Sequence, residues 1–177
     1  MIKVKPRVLF AIYGSIDKSL LSYGTAGPYN LRSYRKFFRE SVLRQIMILD
    51  KETYLSLSMD VRLQAKTNIV ITDDLLWVPT NPLECDIFKS VTTPWQALEK
   101  AENGPGEKIC ILGNESLLNF FVNNTIFDEL HLASVSTDEL FTISSTFPEM
   151  KVPLCGNYTH KNTSFKKGAI DSHNYTI

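Results

Sequence analysis

Short apolar runs, each closed by polar or turn-forming residues, recur along the chain. Arg7 to Ile12 (RVLFAI), Gln45 to Leu49 (QIMIL), Asn68 to Thr72 (NIVIT) and Lys108 to Leu112 (KICIL) are four of them. Runs this short and this apolar read as strands buried on both faces. Between the first two, Leu31, Tyr34, Phe37, Phe38 and Val42 recur at helical spacing, while Arg32, Arg35, Lys36 and Arg39 fill the opposite face. Asn30 is suited to cap that helix. Lys51 to Leu57 predicts a short helix, Leu75 to Pro82 an irregular stretch, and Asp86 to Lys89 a short strand. Thr93-Pro94-Trp95 starts a helix running through Lys100, with proline at the first helical position. Glu115 to Asn123 reads as a helix and Glu129 to Val135 as a strand. Gly14 to Asn30 is a long loop, and Asn103-Gly104-Pro105-Gly106 a turn. After Pro148 the pattern weakens, with strands expected near Val152 to Tyr158 and His173 to Ile177.

Strands alternating with helices predict an α/β fold: a twisted, mostly parallel sheet flanked by helices. The strand-rich C-terminal end predicts an antiparallel edge strand. No linker or repeat divides the chain, so residues 1–177 are expected to form one domain, a size that supports one sizeable core. Nineteen basic residues balance nineteen acidic ones. That balance gives no electrostatic reason to expect a nucleic-acid or anionic-membrane partner. No apolar run approaches the ~20 residues a membrane helix needs, and Met1 to Pro6 lacks a signal-peptide pattern. Cys85, Cys110 and Cys155 form no CxxC pair, so free thiols in a reducing cytoplasm are expected and no metal site. His131, His160 and His173 have no metal or triad spacing.

The order of segments is more specific than any one of them. A first strand leads into a long loop ending Gly27-Pro28-Tyr29-Asn30-Leu31, then a helix carrying Phe37-Phe38. QIMIL, Lys51-Glu52-Thr53-Tyr54-Leu55-Ser56-Leu57 and Thr67-Asn68-Ile69-Val70-Ile71 follow. Later come Ile109-Cys110-Ile111-Leu112-Gly113, Asp128-Glu129-Leu130-His131-Leu132 and Thr146-Phe147-Pro148. In this order and spacing the chain resembles the dihydrofolate reductase family along nearly its whole length. The riboflavin-pathway reductases share that fold and remain an alternative. The resemblance implies NADPH bound along the carboxyl ends of the strands. It also implies hydride transfer to a pterin anchored by one buried carboxylate.

The family's site residues map onto this chain unevenly. The pterin carboxylate lies four positions before an aromatic of the first long helix. Counting from Phe38 gives Tyr34; counting from Phe37 gives Ser33. Neither offers the paired acceptor oxygens of a carboxylate. If catalysis persists, Tyr34 is the candidate catalytic residue, with Asp17 or Glu40 as carboxylates that could reach the pterin from elsewhere. The resemblance assigns Ile12, Tyr29, Phe38, Thr53, Leu57 and Lys66 to the substrate. Lys66 stands where the family grips the folate carboxylate with arginine, whose planar fork lysine lacks.

For the cofactor, the resemblance assigns Lys51, Thr53, Thr72, Gly113 and Asn114. The family's Gly-Arg/Lys-x-Thr turn is here Asp50-Lys51-Glu52-Thr53, and its Gly-Gly pair is Gly113-Asn114. Asp50, Glu52, Asp73 and Glu115 put negative charge where phosphates are expected. Helix N-termini attract anions, so such residues can cap the helices themselves, in place of a phosphate.

The expectation is a dihydrofolate-reductase-like protein with degenerate pterin and NADPH sites. Dihydrofolate reduction is lost or much reduced, and the role is binding or structural, as in a pseudoenzyme. NADPH is its cofactor only if it is active. Its partner is a small molecule (a pterin or nucleotide) or a protein. The alternative is an active, divergent NADPH-dependent dihydrofolate, pteridine or pyrimidine reductase.

Overall fold

The computed structural model describes residues 4–14, 19–21, 32–124, 126–135, 143–146, 159–164 and 170–176. The predicted Asn30 cap, Tyr29 and the expected strand at 152–158 lie outside that set. Ten strands and six helices are described. In chain order they are β1 (Arg7–Gly14), β2 (Ser19–Leu21), α1 (Arg32–Val42), β3 (Ile46–Asp50), α2 (Lys51–Ser56), α3 (Met59–Gln64) and β4 (Thr67–Ile71). Then follow α4 (Pro82–Cys85), β5 (Phe88–Val91), α5 (Pro94–Asn103), β6 (Ile109–Ile111), α6 (Glu115–Asn123) and β7 (Glu129–Val135). β8 (Ile143–Thr146), β9 (Thr159–Ser164) and β10 (Ile170–Thr176) complete the set.

The main sheet runs β5-β4-β3-β6-β1-β7-β10-β9. Every pair from β5 to β7 is parallel, and β10 and β9 add antiparallel to that edge. This is the expected mostly parallel sheet with an antiparallel C-terminal edge. β2 pairs antiparallel with β1, Tyr13 opposite Leu20, so the segment read as loop contains a short strand. β2 in turn pairs with β8, a four-residue strand ahead of Pro148 that the sequence reading did not predict.

Alternation along the central strands builds two cores. Val8, Phe10, Met47, Leu49, Val70, Cys110 and Leu112 face one side, where Phe38 and Val42 of α1, Tyr54 of α2 and Val61 of α3 cover them. Leu9, Ile46, Ile48, Ile69, Ile109 and Ile111 face the other, under Ala97, Leu98 and Ala101 of α5 and Leu117, Leu118 and Phe121 of α6. Burial pushes the Cys110 thiol pKa up to about 12, so it packs as a small neutral apolar group.

Two short helices were not predicted. α4 begins at Asn81, whose side chain accepts from the Leu83 N–H, with Pro82 in the first turn. It starts at the last residue of the stretch read as irregular, and the strand expected at 86–89 follows it at Phe88–Val91. α3 buries only Val61 and has no side-chain cap bond, which leaves no periodic signal to read. The helix predicted from Thr93 is confirmed with a full capping box. Thr93 accepts from the Gln96 N–H, and Gln96 accepts in return from the Thr93 N–H. It continues three residues past Lys100 to Asn103.

Candidate functional site

The strand order reverses its direction of travel around β3 and β6. From β3 the chain moves outward through β4 and β5, then returns to place β6 between β3 and β1. In open α/β sheets ligands bind at such a reversal, beyond the carboxyl ends of the strands. Here the two turns at that point are Asp50 leading into α2 and Gly113-Asn114 leading into α6.

Asp50 joins the two turns. It is the last residue of β3 and the N-cap of α2, and it is only 8% exposed. One carboxylate oxygen accepts from the Thr53 N–H at 2.9 Å. The other accepts from the Thr53 hydroxyl at 2.6 Å and from the Asn114 N–H at 2.7 Å. The last bond crosses from β3 to the turn after β6. Three donors from two helix starts therefore converge on one internal anion, an arrangement favoured by both helix dipoles.

Gly113 makes the close approach possible. A Cβ there would lie 2.6 Å from Leu117 Cδ2 and 3.0 Å from Asp50 Oδ1. Asn114 then caps α6 with its own side chain, which accepts from the Leu117 N–H at 3.0 Å. Sequence reading placed an acid in the phosphate-facing turn, but not its reach across to Asn114.

Beside this junction lies a cleft of about 400 Å³ whose lining includes Asp50, Thr72, Asp73, Asn114, Ser116 and Phe120. Of the cofactor positions implied by the resemblance, it gathers Thr72 and Asn114; Thr53 bonds to the lining residue Asp50 and Gly113 precedes Asn114 in the chain, but neither lines the cleft. Thr53 is fully buried, with its hydroxyl donated to Asp50. The Thr72 hydroxyl accepts from the Asp74 N–H. Lys51 turns elsewhere: its Nζ lies 3.6 Å from an Asp74 carboxylate oxygen and 4.7 Å from the centre of the Trp77 ring. Of the four acids expected at the phosphate turns, Asp50 and Asp73 line the cleft, whereas Glu52 is exposed and Glu115 half-buried in the first turn of α6. Among the described residues, no Lys or Arg lines it. A larger cleft, about 560 Å³, runs along β5 and α5 and contains none of the candidate residues.

The described substrate positions Phe38, Leu57 and Lys66 do not line this cleft. Phe38 is fully buried, edge-on to Phe10 with ring centres 5.4 Å apart. Leu57 is buried in the same core. Lys66 is exposed, just ahead of β4, and its backbone N–H donates to the Gln45 carbonyl. The backbone places Ser33 and Tyr34 early in α1 and Ile12 on β1 opposite Ala133. The side chains of those three residues lie outside the described set. Glu40 is exposed.

A buried polar group stands behind α2. The Tyr54 hydroxyl donates to Glu84 Oε1 at 2.9 Å, and Arg62 Nε lies 2.8 Å from the same oxygen, its guanidinium over the Tyr54 ring. Burial first, then the bond to Glu84, hold the Tyr54 hydroxyl well above the ordinary tyrosine pKa. This cluster, packed with Trp77 and Phe88, ties α2, α3 and α4 together. Reading the sequence did not single it out, because its members lie on three separate elements.

The fold at this point can be compared with known proteins. Schistosoma mansoni dihydrofolate reductase superposes with a TM-score of 0.76 at 12% identity, covering 99% of this chain and 100% of that one. A dihydrofolate reductase from Enterococcus faecalis, complexed with NADP(H) and RAB-propyl, gives a TM-score of 0.66 at 16% identity, covering 97% and 95%. No curated protein sequence matches. The family model described as dihydrofolate reductase matches residues 10–176, and the chain therefore belongs to the dihydrofolate reductase family.

Proposed function

We propose that this protein keeps the dihydrofolate reductase fold as a binding or structural component and has lost, or much reduced, NADPH-dependent dihydrofolate reduction. The observation that carries this reading is the Asp50 carboxylate, which takes up the Thr53 N–H, the Thr53 hydroxyl and the Asn114 N–H. Thr53 and Asn114 are positions the resemblance assigns to the cofactor. A phosphate brought to the same donors would meet a fixed negative charge. Two unit charges about 4 Å apart repel by about 4 kcal/mol at an effective dielectric near 20. That exceeds the ~1.5–3 kcal/mol of a typical hydrogen bond to a charged group.

The residues around the junction therefore do not fit a phosphate-bearing cofactor. The one lysine of the turn is engaged by Asp74 and Trp77, and Asp73 adds a second carboxylate to the cleft. The pterin end agrees in direction, since Tyr34 or Ser33 replaces the carboxylate that the reaction needs.

The test uses the purified full chain. NADPH oxidation is followed spectrophotometrically with dihydrofolate, alongside the melting temperature with and without NADPH. The reading predicts no turnover above buffer and no melting shift at NADPH concentrations that saturate an active reductase. Steady turnover would overturn it.

A further inference from the structure

We infer that Asp50 is a specificity-determining residue: its carboxylate is a built-in substitute for a ligand phosphate and bars phosphate from the cleft. This rests on the functional reading above and makes it specific to one side chain. An ordinary N-cap needs one bond, to the second or third N–H of its own helix. Asp50 makes that bond to Thr53 and then goes further, accepting from a side-chain hydroxyl and from a backbone N–H of a different helix start, 64 residues along the chain. The packing serves that second reach. Gly113 leaves just enough room for the carboxylate, whose oxygen lies 3.0 Å from where a Cβ would stand.

The carboxylate is buried on one side and lines the cleft. Removing it would free three donors that converge on a position at the cleft wall: the N–H of Asn114, which lines the cleft, and the N–H and hydroxyl of the buried Thr53, which only the space left by the carboxylate would open to it. Backbone N–H groups at the start of α6, joined by a threonine hydroxyl, have the chemistry to hold a phosphate group.

Two variants test this. Asp50→Gly removes the whole side chain. Asp50→Ser keeps a capping oxygen for the Thr53 N–H while withdrawing the charge, which secures a folded protein if the glycine variant fails to fold. Melting temperatures are measured with inorganic phosphate against sodium chloride at matched ionic strength, and separately with NADPH.

In the wild type, phosphate gives, relative to chloride, only the gradual, non-saturating rise of a salt excluded from the protein surface. In Asp50→Ser, and in Asp50→Gly where it folds, phosphate raises the melting temperature by several degrees in a saturable manner. A cap with a purely structural role would lower stability without producing this phosphate dependence. Folded variants that respond to phosphate no more than the wild type would overturn the inference. So would a wild type that responds as strongly as the variants. The NADPH arm separates the two claims. A wild type that binds NADPH defeats the functional reading. A wild type silent to NADPH, with variants silent to phosphate, defeats only the role given to Asp50.

Discussion

The β3 and β6 strands and the turns that directly follow them are held by different physics. Within the strands, Ile46, Met47, Ile48, Leu49, Ile109, Cys110 and Ile111 are all fully buried. Any apolar residue of similar volume would serve them, because burial is non-directional and depends mainly on area and fit. One residue beyond Leu49, at Asp50, and two beyond Ile111, at Gly113, identity matters atom by atom. A carboxylate there meets three donors, and a glycine there avoids the tight contacts that a Cβ would make with Leu117 and the Asp50 carboxylate. A fold can therefore persist through wide drift of its framework. Its chemistry can change with one substitution at a strand end. At 12–16% identity to the two reductases the architecture is shared, and identity that low carries no claim about the site.

That contrast can be broken by mutation. The largest effect should come from the framework. Phe121→Ala, at a fully buried position of α6, should cost ~3–5 kcal/mol in denaturant unfolding. It should leave untouched any difference in ligand response between wild type and Asp50 variants. Gly113→Ala tests the turn. Its added methyl meets Leu117 and the Asp50 carboxylate, so a loss of ~1–3 kcal/mol is expected from a single carbon. A neutral Gly113→Ala would show that the turn is as tolerant as the strands. Lys51→Met sits at the outer rim, where the half-exposed pair with Asp74 and the contact with Trp77 together contribute about 1 kcal/mol or less. A larger loss in the same unfolding measurement would give Lys51 a structural weight that its exposure does not suggest.

The parts of the fold that could be read from sequence are those with a strong local signal. Four apolar runs became β1, β3, β4 and β6, shifted by one or two residues at their ends. The Thr93-Pro94 start was legible because proline at the first helical position is a local pattern, whereas the capping box closed by Gln96 was found only in the structure. α3 was not, since one buried residue in six gives no period. β2 and β8 were missed because they stabilise each other across more than a hundred residues of chain. The site divided in the same way. An acid in place of glycine at position 50, and its capacity to cap α2, were visible locally. Its bond to Asn114 was not, because only the sheet order brings the turn after β6 beside the end of β3. Likewise, nothing local distinguishes Asp50 and Asp73, which line the cleft, from Glu52, which is exposed.

The most direct measurement is a calorimetric titration of NADPH into the wild-type protein at neutral pH and physiological ionic strength, where long-range repulsion is screened and the result reports on the site itself. With Asp50 holding the donors of Thr53 and Asn114, the account predicts no saturable heat. A saturable isotherm with one site per chain would contradict it, and would mean that the carboxylate yields its three donors to the cofactor.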